Sequence, residues 1–126
     1  MPHSTSDPVF VFGSNLAGRH GKGAALWARQ HRGAIYGQGN GLQGNSYAIP
    51  TKGFNLEVLQ LSTIAAHVDE FLSFAEANPH LSFQLTPIGC GLAGFSPAQI
   101  APLFKYVPTN VQIPREFEGL ISVHNR

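Results

Sequence analysis

One cysteine, Cys90, is all the thiol this chain holds, so an internal disulfide is excluded and a reducing compartment suits it. Charge is also scarce. Asp, Glu, Lys and Arg supply 12% of the residues, about half the usual share, and the net charge is +1. Without a basic stripe or an acidic run, a long nucleic acid is not an expected partner. No apolar run approaches the roughly 20 residues of a membrane span, so no membrane partner is expected. The opening MPHSTSDP lacks the basic and apolar regions of a signal peptide. Residues 1–8 read as a disordered leader, and the expected location is the cytoplasm. The histidines, at 3, 20, 31, 67, 80 and 124, show no metal-ligand spacing. Neither a metal nor a cofactor is expected.

Glycine and proline are plentiful, at 14 and 9 residues, and the glycines cluster, which suits ordered tight loops rather than disorder. Hydrophobic residues make up 43% of 126, enough for one core, so a single domain over 9–126 is expected. Val9-Phe10-Val11-Phe12 reads as a strand buried on both faces. A first glycine-rich loop follows at 13–21, and then a helix from about Lys22 to His31, closed by Gly33. Ala34-Ile35-Tyr36 and Ser46–Ile49 are strand candidates on either side of a second glycine-rich stretch, GQGNGLQGN at 37–45, with Pro50 stopping the latter strand. Ser62 predicts the N-cap of a helix running to about Asn78, with Ile64, Ala65, Val68, Phe71, Leu72 and Ala75 on its buried face. Residues 81–86 read as a strand and 87–95 as a third loop. Ser96-Pro97 opens a short helix to about Phe104. Residues 111–113 form a last strand. Strands alternating with helices favour a three-layer α/β/α domain around a largely parallel central sheet. Ligands in such folds bind beyond the carboxyl ends of the strands, where the loops after 9–12 and 81–86 both sit.

Two familiar phosphate motifs fail. A Walker loop would need a hydroxyl residue after Gly21-Lys22, and Gly23 stands there. Gly39-x-Gly41-x-x-Gly44 matches a dinucleotide fingerprint in letters, but a strand follows it rather than a helix. What remains is a pair of loops, Gly18/Gly21/Gly23 and Gly89/Gly91/Gly94, each leading into a helix N-terminus. There, bare backbone N–H groups can approach phosphate oxygens. Either loop alone is accounted for by tight turns. Two at equivalent strand ends favour a ligand site.

These segments resemble the macro domain family. Phe12-Gly13-Ser14-Asn15 resembles the strand end that carries the family's ribose-side asparagine, and His20-Gly21-Lys22-Gly23-Ala24-Ala25 its first loop. The string Pro87-Ile88-Gly89-Cys90-Gly91-Leu92-Ala93-Gly94 is similar to its second phosphate loop. This last string, with Tyr47-x-Ile49-x-Thr51-Lys52, is closest to the branch that removes ADP-ribose from glutamate. The resemblance spans roughly residues 9–113 and implies a macro-like fold that binds ADP-ribose or a related nucleotide, free or carried on an ADP-ribosylated protein. It implies that Asn15 contacts the distal ribose. His20, Gly21, Lys22 and Gly23 would hold the diphosphate with Gly89, Cys90, Gly91, Leu92, Ala93 and Gly94. Phe95 would pack against the ribose end, and Lys52 is the candidate nucleophile of an ADP-ribosyl hydrolase. Two departures stand out. Ala93 occupies the position where the glutamate-directed branch has an aspartate. The strands and Gly-Asp pair with which the family reads adenine have no counterpart, because Asp7 lies in the leader.

Individually, these residues also have plainer readings: Lys52 as a solvated loop lysine, Cys90 as a small buried filler, His20 as a loop histidine, Asn40, Gln43 and Asn45 as turn formers, Trp27 and Phe71 as core. Two other functions stay open: a non-catalytic module for another nucleotide or phosphate ligand, and a metal-free hydrolase of a phosphorylated nucleotide-sugar.

Overall fold

The computed structural model describes residues 7–123, so leader residues 1–6 lie outside the described residues. In chain order the elements are β1 (Val9–Asn15), α1 (Gly23–His31), β2 (Gly41–Gln43), β3 (Ser46–Lys52), α2 (Leu61–Ala77), β4 (Phe83–Leu85), α3 (Pro97–Ile100), β5 (Tyr106–Val107), β6 (Val111–Gln112) and β7 (Ser122–Val123). Two 3-10 turns, Ala101–Phe104 and Arg115–Phe117, complete them. Five strands form one sheet in the order β2-β3-β1-β4-β6, and β5 and β7 form a separate parallel pair. Within the large sheet every neighbouring pair is parallel except the β2–β3 hairpin.

The VFVF run explains why helices lie on both faces of this sheet. Successive strand side chains point to opposite faces. Phe10 and Phe12, with Ala48 from β3, pack against Ala25 and Ala28 of α1. Val9 and Val11, with Tyr47 and Ile49, pack against Ile64, Val68, Phe71, Leu72 and Ala75 of α2. Phe71, fully buried, meets the rings of Tyr47 and Phe83 edge-on, at centroid distances of 5.1 and 5.4 Å. The fold is therefore mixed α/β with a mostly parallel five-stranded sheet.

Several local expectations need correction. Ala34–Tyr36 is not a strand but the start of a turn region. Ile35 N–H donates to the Gln43 side chain at 2.7 Å, and Ile35 and Tyr36 are exposed. Pro50 does not end β3, which runs on to Lys52. The β2 strand stops pairing at Ala48, so beyond it no neighbour needs the N–H that proline lacks. α2 begins at Leu61 behind Gln60, not behind Ser62, because the Gln60 carbonyl accepts from both Thr63 and Ile64 at 3.0 Å. The helix after Ser96 lasts only four residues before tightening into a 3-10 turn. Trp27 is not core. It lies on the outer side of α1, 38% exposed, stacked on His31 with the Arg32 guanidinium over its ring.

Candidate functional site

The chain passes from β1 through α1 to β3 on one side, then through α2 to β4 on the other. The C-terminal end of β1 is thus a topological switch point, where the loops leaving adjacent strands diverge and a crevice opens. A cavity of about 870 Å³ occupies this place. Its floor is Gly13, Ser14 and Asn15 of β1, with Thr51 and Lys52 from the end of β3 and Thr86 and Pro87 after β4.

One wall is the entry to α1. Gly21, Lys22, Gly23, Ala24 and Ala25 all line the cavity. Lys22 is the N-cap in an extended conformation, with no side-chain cap, and Leu26 is the first residue to donate back to its carbonyl. The N–H groups from Gly21 to Ala25 find no acceptor among the described residues. A helix start with free N–H groups carries a partial positive charge suited to an anion.

The opposite wall is Gly89, Cys90, Gly91, Leu92 and Ala93. Inside this loop, Cys90, Gly94 and Phe95 donate to Pro87, Gly91 and Gly89 at 3.2, 3.0 and 2.8 Å, while the N–H groups of Gly91, Leu92 and Ala93 have no acceptor among the described residues. The helix beyond differs from the expectation of a second open N-terminus. Ser96 Oγ accepts from Gln99 N–H, and Gln99 Oε1 accepts from Ser96 N–H at 2.9 Å, so α3 is closed by its own capping box. Any anion contact on this side comes from the loop backbone.

The glycines sort by what a side chain would meet. A Cβ at Gly18 would strike the backbone of Gly37 and Gln38, and one at Gly39 the carbonyls of Asn15 and Leu16. These positions are glycine because two loops press together, which is the role of the GQGNGLQGN segment. With Gly37 N–H donating to Gly18 O at 2.8 Å, it braces the first loop from behind. Gly21 and Gly91 are different. Their backbones are not left-handed, and a Cβ at either would meet nothing within 4 Å. The fold itself does not call for glycine at these two cavity-facing positions.

Asn15, Lys52, Gly21, Lys22, Gly23 and Gly89 to Ala93 all line the cavity, but His20, Gly94 and Phe95 do not. His20 is fully buried behind the first loop. Its Nε2 lies 3.0 Å from Gln38 O and 3.2 Å from Gln43 Oε1, and its ring meets Phe12 edge-on. It braces the loop from within. The Asn15 amide is engaged by its own loop, donating to Arg19 O at 3.0 Å and accepting from Arg19 N–H at 2.8 Å. Lys52 ends a strand rather than sitting in a solvated loop.

Three further lining residues are not among those the sequence singles out for the site. Arg19 and Glu116 line the cavity, as does Leu56. Glu116 comes from the second 3-10 turn, in a segment that reads as tail. Glu57, the carboxylate nearest the site in sequence, instead curls back to accept from Asn55 N–H at 3.0 Å and does not line the cavity. Leu56 is held at φ 64°, a left-handed conformation that costs an L side chain roughly 1–2 kcal/mol.

Burial, and secondarily the Glu116 charge, push the Cys90 thiol above its usual range. A raised pKa means a smaller thiolate fraction, and the thiolate is the nucleophile. Cys90 should therefore alkylate more slowly than free cysteine at pH 8. Glu116→Gln should speed the reaction, because the thiolate then faces no neighbouring negative charge. Iodoacetamide labelling followed by mass spectrometry checks both; an unchanged rate in Glu116→Gln would remove the carboxylate from the thiol's surroundings.

Charge is divided unevenly along the chain. Residues 8–56 contain five cations, Arg19, Lys22, Arg29, Arg32 and Lys52, and no carboxylate. The cavity takes Arg19, Lys22 and Lys52 from this stretch, whereas Asp69, Glu70 and Glu76 ride on α2 across the sheet. Asp69 and Glu70 border a second, more open concavity of about 740 Å³ beside Tyr47, with no cation in its lining. Among the described residues no cluster of His, Cys, Asp and Glu is arranged to hold a metal ion, and no helix is long and apolar enough to cross a membrane.

Fold and site together define a mixed α/β domain with a cavity at its switch point between two glycine-bearing loops. Comparison with protein-family models, curated proteins and solved structures returns no match for the chain.

Proposed function

We propose that this cavity binds ADP-ribose or a closely related diphosphate nucleotide in a macro-like manner, free or as the modification on an ADP-ribosylated protein. The observation that carries the reading is the pair Gly21 and Gly91. Both face one cavity, both sit beside unspent N–H groups, and neither needs to be glycine for the backbone's own sake. Two sets of N–H donors on opposite walls suit two linked phosphates better than one. Arg19 and Lys22 add positive charge on the α1 side. The volume falls within the range of nucleotide-sized pockets, roughly 300–1,000 Å³.

Thermal denaturation tests this directly. ADP-ribose at about a hundredfold excess over its dissociation constant should add about 2.7 kcal/mol to the folded state. AMP, with one phosphate, should add clearly less at the same concentration. Equal shifts would sink the two-wall arrangement and favour a module for a single phosphate or another nucleotide.

A further inference from the structure

We propose that Tyr47, Glu70, Phe74 and Asn40 form a second binding site on the α2 face of the sheet, one that takes a guanidinium group on an aliphatic stem. The site is independent of the nucleotide reading, because none of these residues lines the switch-point cavity.

Direct contacts join the four. Tyr47, from β3, has its ring centroid 5.3 Å from that of Phe74 on α2. Glu70 stands one helical turn before Phe74, on the same side of α2. Asn40, in the loop before β2, donates through Nδ2 to Glu70 Oε1 at 3.4 Å. His67 Nδ1 lies 3.4 Å from the same oxygen. Glu70 Oε2 and Asn40 Oδ1 have no hydrogen-bond partner among the described residues. All four residues line the open concavity of about 740 Å³.

Carboxylates on a helix are by themselves a solvated face. Tyr47 is what marks this one. It is 5% exposed, its ring packs against Phe71 and Phe74, and it lines the concavity. Its hydroxyl nevertheless makes no hydrogen bond among the described residues, whereas a buried tyrosine hydroxyl ordinarily has a partner. Burial, and then the Glu70 charge, push its pKa up to about 12, so at neutral pH the hydroxyl is intact beside a carboxylate. The Tyr47 oxygen, Glu70 Oε2 and Asn40 Oδ1 are thus acceptors around one negative charge, and a cationic donor completes them. Asp69, held loosely by Lys105 at 3.8 Å, borders the same concavity and adds to the negative field. Phe74, half-buried, brings an aromatic ring to the lining. A guanidinium suits this mixture better than an ammonium. It is planar, carries five N–H donors, is weakly hydrated and stacks on rings, whereas an ammonium is a compact and strongly hydrated point charge.

Calorimetry on the full chain compares acetyl-Gly-Arg-Gly-amide with its lysine and citrulline counterparts and with butylguanidinium chloride. The arginine peptide should bind roughly tenfold more tightly than the citrulline peptide, which has the same shape without the charge, and more tightly than the lysine peptide. Glu70→Gln should lower arginine-peptide affinity by roughly tenfold. Tyr47→Phe should lower it about fivefold and melt no lower than wild type, because it removes a buried hydroxyl that no protein group satisfies. A tyrosine that served packing alone would keep full affinity in Tyr47→Phe. Butylguanidinium binding as tightly as the peptide would assign the site to a free cation, and weaker binding to an arginine side chain on a polypeptide. Equal affinity for the lysine peptide would overturn the guanidinium assignment. Equal affinity for the citrulline peptide, full affinity in Glu70→Gln or Tyr47→Phe, a lowered melting temperature in Tyr47→Phe, or no binding by wild type would each overturn the site.

Discussion

Gly91→Val should bind ADP-ribose at least a hundredfold more weakly than wild type, about 2.7 kcal/mol, with the circular dichroism spectrum unchanged. The two parts have separate causes. Gly91 is not left-handed and a Cβ there meets no atom within 4 Å, so the backbone takes a side chain without rearranging. Gly91 lines the cavity beside Leu92 and Ala93, whose N–H groups have no acceptor among the described residues, so on the proposed reading a valine there would take space that phosphate oxygens need. Gly21→Val should behave alike. Gly23 is a poorer test, because at φ 57° a branched residue strains the backbone and a folding defect would obscure the binding defect. Calorimetry with ADP-ribose and melting curves decide the matter. Retained affinity in both Gly21→Val and Gly91→Val would reduce these glycines to turn formers.

Little cleavage of glutamate-linked ADP-ribose is expected from the wild-type protein, and a gain of about a hundredfold or more from Ala93→Asp. Attack by a lysine amine on the ribose C1 carbon needs that amine unprotonated, and a partner that moves the proton as the bond to glutamate breaks. Lys52 and Ala93 line the same cavity, so an aspartate at 93 is introduced on the wall facing the strand end that carries the amine. The double variant Lys52→Ala/Ala93→Asp should return to the wild-type rate. Release of ADP-ribose from an automodified acceptor protein, followed by chromatography, measures all three. Brisk turnover by the wild type, lost in Lys52→Ala, would contradict this expectation and make Glu116 the carboxylate to examine as proton carrier.

What could be read in the sequence was local. The VFVF run announces a strand covered on both faces, and Ser96-Pro97 announces a capped helix start, because each signal lies within a few residues of its effect. The two cavity walls were legible for the same reason: glycine marks where backbone must be bare, wherever its partner lies. What could not be read depends on distant segments. His20 is drawn inward by Phe12, Gln38 and Gln43, and no neighbour in sequence signals that burial. Ile35 and Tyr36 have the composition of a strand, but Gln43 captures the Ile35 N–H that a ladder would need. Trp27 has the size of a core residue but stays partly exposed, lying over the edge of buried Phe10 with His31 and Arg32 against its ring. Glu116 lines the cavity from the 3-10 turn Arg115–Phe117, far in sequence from the loops that form the walls, and residues 115–117 carry no signal of that placement.

The uneven placement of charge has a kinetic consequence. With five cations and no carboxylate between residues 8 and 56, and three carboxylates on α2, of which Asp69 pairs with Lys105, positive charge is weighted toward the α1 side despite the small net charge. A dianionic ligand of the proposed kind should be turned toward the α1 side on approach, and its capture rate should rise accordingly. The Debye length shortens from about 30 Å at 0.01 M salt to about 8 Å at 0.15 M. On the proposed reading, added salt should therefore slow association while hardly changing the rate of release, since phosphates at contact distance from backbone dipoles would be little screened by mobile ions.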